Sequence, residues 1–293
     1  MDGTPIGSSY TWARARAAGM SRRQVERDGR RLGHGLYLSS AAEPSLPELC
    51  AAWARVLPPA AAFGGTTAAV LLGAPLAAPP RLTVVLPPGV VVPARAQLIR
   101  HVRTTTADDV TDLDGIRVTA GAQTFLDLAA RLPAQELVAV GDALYRREHL
   151  DHDRLTARLA RAGRVRGVVL ARACAPLLVR TSHSRPESLL RYWLVASDLP
   201  DPEPQVEVRG RHGRVMVHGD LGYSRWKIAL EYEGQQHATD RDQFRRDIDR
   251  YSLTALDGWL VLRFADHHLG GPETVVERTR RALLSRGWQP GRR

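Results

Sequence analysis

Arg214–Glu233 reads R-V-M-V-H-G-D-L-G-Y-S-R-W-K-I-A-L-E-Y-E, and its two-residue period decides how the C-terminal third folds. Two alternating stretches, Arg214–Tyr223 and Trp226–Glu233, flank Ser224 and Arg225, which predicts an antiparallel hairpin with a tight turn. Alternation puts Ile228, Leu230 and Tyr232 on one face and Lys227, Glu231 and Glu233 on the other. In the first strand Asp220 shares a face with Met216 and His218, opposite Val215, Val217 and Leu221. Asp220 and Glu231 are therefore expected to meet across the hairpin. Carboxylates brought that close repel and raise each other's pKa unless a cation lies between them. A hard divalent ion, Mg²⁺ or Mn²⁺, suits such a pair because it takes oxygen ligands and leaves positions for water. Held between a phosphate oxygen and a water, it supplies a nucleophile and screens the developing charge.

Upstream, Ser184 opens a helix with Glu187 at its third position, and Leu189, Leu190, Trp193 and Leu194 form its apolar face. Ser184 and Glu187 also make a capping box, which by itself accounts for Glu187. Glu231 and Glu233 have a plain alternative too, as partners of Lys227 and of the arginines at 241–250 on a solvated face. Arg245, Arg246 and Arg250 share a helix with Asp242, Asp247 and Asp249, and local ion pairs explain most of that pattern. His267 and His268 read as surface residues.

The spacing of a helical Glu, an Asp and then Glu-x-acid resembles the PD-(D/E)XK nuclease superfamily. The runs S-R-P-E-S-L-L-R, H-G-D-L-G-Y, I-A-L-E-Y-E-G-Q-Q-H, D-Q-F-R-R-D-I-D-R and G-W-L-V-L-R-F are similar to a group related to very-short-patch-repair endonucleases, over roughly residues 182–284. The resemblance implies a restriction-endonuclease-like α/β domain, a central mixed sheet flanked by helices. It makes Asp220 and Glu231 the metal-binding acids, Glu187 an accessory acid, and His237 the histidine after the Glu-x-acid-Gly turn. Arg246 and Asp247 match a charged pair on the next helix, and Trp259, Val261 and Phe264 a buried strand. Glu233 stands where the superfamily places its catalytic lysine. His237, Lys227, Arg245 or Arg246 is then the candidate general acid or phosphate clamp.

At the other end, Thr11–Ala18 is helical in composition, Gly19 breaks it, and Ser21 with Gln24 forms a capping box for a second helix. That helix carries Arg22, Arg23 and Arg27, followed by Arg30 and Arg31, and Leu36–Leu38 after Gly33 and Gly35 suggests a β wing. Residues 1–40 hold seven arginines against three acids. The outline is a winged helix-turn-helix, whose second helix enters a major groove. The alternative is a basic hairpin that only packs on its neighbour. The run Thr11–Leu38 resembles the N-terminal module of the AbiEi family of antitoxins, although the helix that precedes the pair there is missing or replaced by Met1–Tyr10. Between the ends, Leu46–Leu57 is amphipathic, Leu82–Leu86 and Gly115–Val118 read as strands, and Phe125–Arg131 as helix. Pro133–Val179 is almost all helical, with breaks at Gly163 and Gly167. Gly115–Leu132 (G-I-R-V-T-A-G-A-Q-T-F-L-D-L-A-A-R-L) is similar to the AbiEi middle domain. The resemblances imply DNA and a cognate toxin as partners.

The 293 residues, 44% hydrophobic and 25% charged, suffice for two or three domains with real cores. Three are expected: a winged helix at 1–45, an AbiEi-like domain at 46–180 and the nuclease-like domain at 181–293. The net charge of +10 suits an anionic partner, yet forty of the forty-one cations are arginine, a bias that GC-rich coding produces unaided. Residues 181–293 carry eighteen cations and sixteen acids, so most of the surplus lies in the first 180. Two cysteines, Cys50 and Cys174, exclude a disulfide scaffold and a cysteine-clustered zinc site. The 25 uncharged residues between Arg55 and Arg81 hold too many prolines and glycines for a membrane helix. Met1–Ser9 lacks a secretory pattern, so a cytoplasmic protein is expected. Two functions follow: a metal-dependent DNA endonuclease, or an antitoxin-type regulator whose nuclease-like domain is degenerate.

Overall fold

The computed structural model describes residues 9–33, 35–39, 43–210, 213, 215–234 and 251–291, with the side chain of Val217 left out. The chain divides into two compact units, 1–131 with 147–172 and 132–146 with 173–293. The architecture is mixed α/β, as expected, with three sheets.

The first unit begins with β1 (Ser9–Thr11), α1 (Trp12–Ala17), α2 (Arg22–Asp28), β2 (Gly29–Gly33) and β3 (Leu36–Ser39). Thr11 caps α1, and the Ser21–Gln24 box closes at both ends on α2. The strands form a sheet in the order β1-β3-β2, so the expected wing is present and gains a third strand. Tyr10, Ala15 and Val25 make the small core that holds the helices to it.

Next come α3 (Leu46–Ala54), β4 (Ala62–Phe63), α4 (Gly65–Leu71), β5 (Leu82–Leu86), β6 (Leu98–Val102), β7 (Val110–Leu113), β8 (Ile116–Thr119), α5 (Gly121–Ala129), α7 (His152–Arg161) and α8 (Val168–Cys174). The strands order as β6-β5-β4-β8-β7, with β5·β6 and β4·β8 parallel. The strand expectations at Leu82–Leu86 and Gly115–Val118 hold, but the sheet has five strands where two or three are legible. Gly167 has φ +84°, and a Cβ there would lie 2.5 Å from the backbone of Ala129, so only glycine lets the segment before α8 cross α5.

The second unit contains α6 (Ala134–Arg146), α9 (Arg185–Val195), β9 (Glu203–Arg209), β10 (Val215–Tyr223), β11 (Ile228–Glu233), β12 (Leu260–Ala265) and α10 (Pro272–Ser285). Its sheet runs β12-β11-β10-β9; β11 and β12 are parallel and the other pairs antiparallel, which makes the expected mixed sheet. Leu221, Tyr223, Ile228, Leu230 and Phe264 face one core with Leu189, Leu190, Trp193 and Leu194 of α9 and Leu283 of α10. Val206, Val208, Ala229 and Trp259 pack on the opposite face with Met216 and Val261. Trp226 and Lys227 do not begin the second strand as expected. Ser224–Trp226 is a 3-10 turn, and Lys227 follows it in the left-handed region at φ 51°. Asp257 anchors that bend by accepting the Lys227 ammonium on its carbonyl at 3.1 Å. The stretch before the hairpin, Glu203–Arg209 with Pro204 inside it, is strand β9. His268 is also unlike the surface residue expected: it is buried, accepts the Ala265 N–H on Nδ1 at 3.0 Å and meets Phe264 edge-on.

The packing of α6 on α9 centres on Asp142, which is 1% exposed. Its carboxylate accepts from the Val179 N–H at 2.8 Å, the Ser188 hydroxyl at 2.7 Å and the Arg191 guanidinium at 2.7 Å. Replacing Asp142 with Ala leaves Arg191 buried without its counter-ion and is expected to cost about 3–5 kcal/mol. Urea denaturation followed by tryptophan fluorescence measures it, and a loss below about 1 kcal/mol would contradict this account.

Candidate functional site

The antiparallel register of β10 on β11 runs Leu221↔Leu230, Gly222↔Ala229 and Tyr223↔Ile228. The ladder ends there, and Asp220 and Glu231 are the next residues on the two strands. The Tyr232 N–H donates to Asp220 Oδ2 at 2.7 Å, which fixes the aspartate across the hairpin. Glu231 is buried, and its Oε2 accepts from the Tyr251 hydroxyl. Glu187, also buried, stands at the first turn of α9: its N–H donates to Ser184 Oγ at 3.3 Å, and its Oε2 accepts from the His183 N–H at 2.8 Å. The capping role expected for Ser184 and Glu187 is thus realised one residue earlier on the return side. Both glutamates act electrostatically on Asp220. Burial, opposed by the Tyr232 hydrogen bond and joined by repulsion from Glu187 and Glu231, pushes the Asp220 carboxyl up to about 6.

Glu233, two residues after Glu231, forms an ion pair with Arg263. The parallel register places Arg263 beside Glu231, and its guanidinium lies 4.6 Å from the centre of the Tyr251 ring. Glu233, Arg263, Tyr251 and Glu231 therefore form one continuous chain of contacts. Arg263 and Tyr251 escape a reading of the sequence alone. Tyr251 follows twenty residues of polar chain, and Arg263 is the one charge in an apolar strand, its partner identifiable only once the parallel pairing is known. Lys227 sits at the turn, four residues along the hairpin from Glu231, or about 13 Å. His237, Arg245 and Arg246 lie outside the described residues. Among the described residues no group of three or more His, Cys, Asp or Glu side chains is arranged to hold a metal ion.

In the N-terminal part, Arg22 and Arg23 stand exposed on α2 with Arg27, and Arg30 and Arg31 are exposed on β2. Arg22 pairs with Glu26, Arg27 with Asp28 and Arg30 with Glu43, all at the surface, where such pairs contribute little and exchange readily. No helix among the described residues is long and apolar enough to cross a membrane.

The AbiEi antitoxin C-terminal domain model matches residues 60–177. The stretch Gly115–Leu132 falls within that match, whereas Thr11–Leu38 and residues 182–284 fall outside it. Among solved structures the chain is similar to the crystal structure of the RV2827C protein from Mycobacterium tuberculosis. Identity there is 19%, the TM-score 0.44, and the match covers 63% of this chain and 76% of that one. No curated protein matches.

The raised carboxyl of Asp220 carries a pH signature. The folded state holds this proton up to about pH 6, whereas the unfolded chain releases it near 4. The folded state thus binds the proton more tightly, and stability falls as pH rises from about 4 to about 6. Asp220→Asn keeps an acceptor for Tyr232 and removes the charge. The variant is expected to be more stable by about 1–2 kcal/mol at pH 7.5, after allowance for partial solvent screening, and to lose the advantage near pH 4. Thermal melts at the two pH values measure it, and a less stable variant at pH 7.5 would contradict the assignment.

Proposed function

We propose that the protein is a DNA-binding regulator of the antitoxin type, acting with a cognate toxin. The observation that carries this reading is the antitoxin-domain match at 60–177, which follows a basic helix and β hairpin at 9–39. Arg22, Arg23 and Arg27 on α2 are the groove- and phosphate-facing cations, and Arg30 and Arg31 on the wing hold the backbone. The matched domain is the side offered to the toxin.

Binding to a labelled duplex from upstream of its own coding region tests the first half by fluorescence anisotropy. Wild type is expected to prefer that duplex over a scrambled one, with affinity falling steeply between about 50 and 200 mM salt. The double variant Arg22→Ala/Arg23→Ala should bind at least about tenfold more weakly and show a shallower salt slope. Equal affinity for both duplexes, or an unaffected variant, would overturn the reading.

A second reading, a metal-dependent endonuclease in the C-terminal unit, is favoured by one observation: Glu187 and Glu231 both lie within electrostatic reach of Asp220. A buried and a half-buried carboxylate suit Mg²⁺ or Mn²⁺, which takes one or two carboxylates and leaves its other positions to water and phosphate. Asp220 and Glu231 would hold the ion, which when bound supplies positive charge at the phosphodiester and acidifies a water. Arg263 balances Glu233 where the superfamily has its lysine, and Tyr251 steadies Glu231. His237, Lys227, Arg245 and Arg246 remain the candidates for the missing cation or acid. Nicking of supercoiled plasmid and of single-stranded DNA with Mg²⁺ or Mn²⁺, by wild type and Glu231→Gln purified alike, decides between the readings. Cleavage confined to wild type supports the nuclease; equal cleavage by both, or none by either, overturns it and leaves the regulator.

A further inference from the structure

The first unit contains a cavity of about 300 Å³ between the parallel β5–β6 pair and helices α5 and α7. Val85 and Leu126, both buried, contribute its apolar lining, and its rim includes two exposed valines, Val102 at 64% and Val165 at 47%. Its charge is one-sided. Four guanidiniums line it, those of Arg103, Arg131, Arg158 and Arg166, against the single carboxylate of Asp127.

These arginines are held differently. Arg103 is fixed by a two-point pairing with Asp127, which Gln123 Nε2 also reaches at 2.7 Å. The Arg103 Nε–H remains buried with no hydrogen-bond partner among the described residues. Arg158 is committed to Gln123 at 2.7 Å and to Asp109 at 3.2 Å. Arg131 has no carboxylate among the described residues and instead lies 3.2 Å from Nε2 of His101. Arg166 makes no ion pair among the described residues. Partial burial, then Arg131, with Asp127 opposing, holds the His101 imidazole below its ordinary pKa.

We propose that this cavity binds a small phosphorylated ligand, its phosphate taken by Arg103, Arg131 and Arg166 and its apolar or planar body seated on Val85 and Leu126. A phosphate dianion matches the two guanidiniums, Arg131 and Arg166, that no carboxylate balances among the described residues, with the unpartnered Arg103 Nε–H as a further donor, and arginine forks suit phosphate geometry. Asp127 pre-orients Arg103, which lowers the ordering cost of binding. A volume of about 300 Å³ lies at the small end of ligand pockets and suits a mononucleotide-sized molecule. The site is independent of the DNA contacts proposed for residues 9–39.

The test uses the full chain with AMP and inorganic pyrophosphate as probes, sodium chloride at matched ionic strength as control, and a 20-bp duplex as a separate arm. Thermal shift and calorimetry are expected to show saturable binding of at least one phosphorylated probe that chloride does not reproduce. Arg131→Ala/Arg166→Ala changes two exposed side chains, so its unliganded melting temperature should stay unchanged while affinity drops at least about tenfold. Arg103→Lys retains a cation for Asp127 but lacks the Nε–H, and it should weaken binding as well. In wild type, saturation should move the His101 pKa upward by NMR. Absence of saturable binding by both probes, or undiminished binding in both variants, would overturn the site. Duplex binding lost in the double variant, with no response to either probe, would assign the arginines to a nucleic-acid backbone and overturn the small-ligand reading.

Discussion

Burying a carboxylate costs several kcal/mol unless every lone pair that matters is met, and Asp142 meets that demand with three donors from two segments. Ser188 and Arg191 are three residues apart on α9, so both can reach one carboxylate only when that stripe of the helix turns toward α6. This fixes the rotation of α9. Leu189, Leu190, Trp193 and Leu194 then face the sheet, and Glu187, one residue before Ser188, comes within electrostatic reach of Asp220. Arg185 reinforces the arrangement through its pairing with Glu136 of α6. The acid cluster thus depends on an ion pair made on the other side of the helix that supplies one of its members.

The sheet supplies the other two members through its two-sidedness. Leu221 and Leu230 close one core while Ala229, at the adjacent position, packs with Val206 and Val208 on the opposite face. A strand buried on both faces has little room for charge, yet Asp220 and Glu231 occupy that second face together. Tyr232 and Tyr251 offset part of the cost with hydrogen bonds, and the rest appears as the raised carboxyl of Asp220. A position that holds charge at a stability cost is where function is to be sought.

Local signals in the sequence carried far. The capping box at Ser21, the N-cap at Ser184 and the faces of the C-terminal hairpin all follow from patterns within a dozen residues. What stayed hidden was non-local or masked by composition. Strand β9 follows Pro202, has Pro204 as its second residue and reads as a link, although Val206 and Val208 alternate correctly. Its close approach to β10 works because Gly222 has no Cβ to strike Val206. The parallel partner β12 is separated from β11 by residues 234–259, so neither the register nor the position of Arg263 is written in any short window. In the first unit, β4 has two residues and β6 begins after a proline-rich segment, too little for a period to show.

That parallel edge bears directly on the choice between regulator and nuclease. A lysine two residues after Glu231 would share its face and carry a mobile ammonium on a flexible stem, free to move toward a phosphate. The protein instead has Glu233 there and draws its cation from the next strand. Arg263 is ion-paired to Glu233 and stacked on Tyr251, so reaching a substrate means giving up two partners. The charges that act on Asp220 are those of Glu187 and Glu231, both negative. The cluster thus gathers three acids, while its nearby arginine is committed to Glu233 and Tyr251. An arrangement of this kind spends its cation on the sheet and leaves none free beside the acids among the described residues.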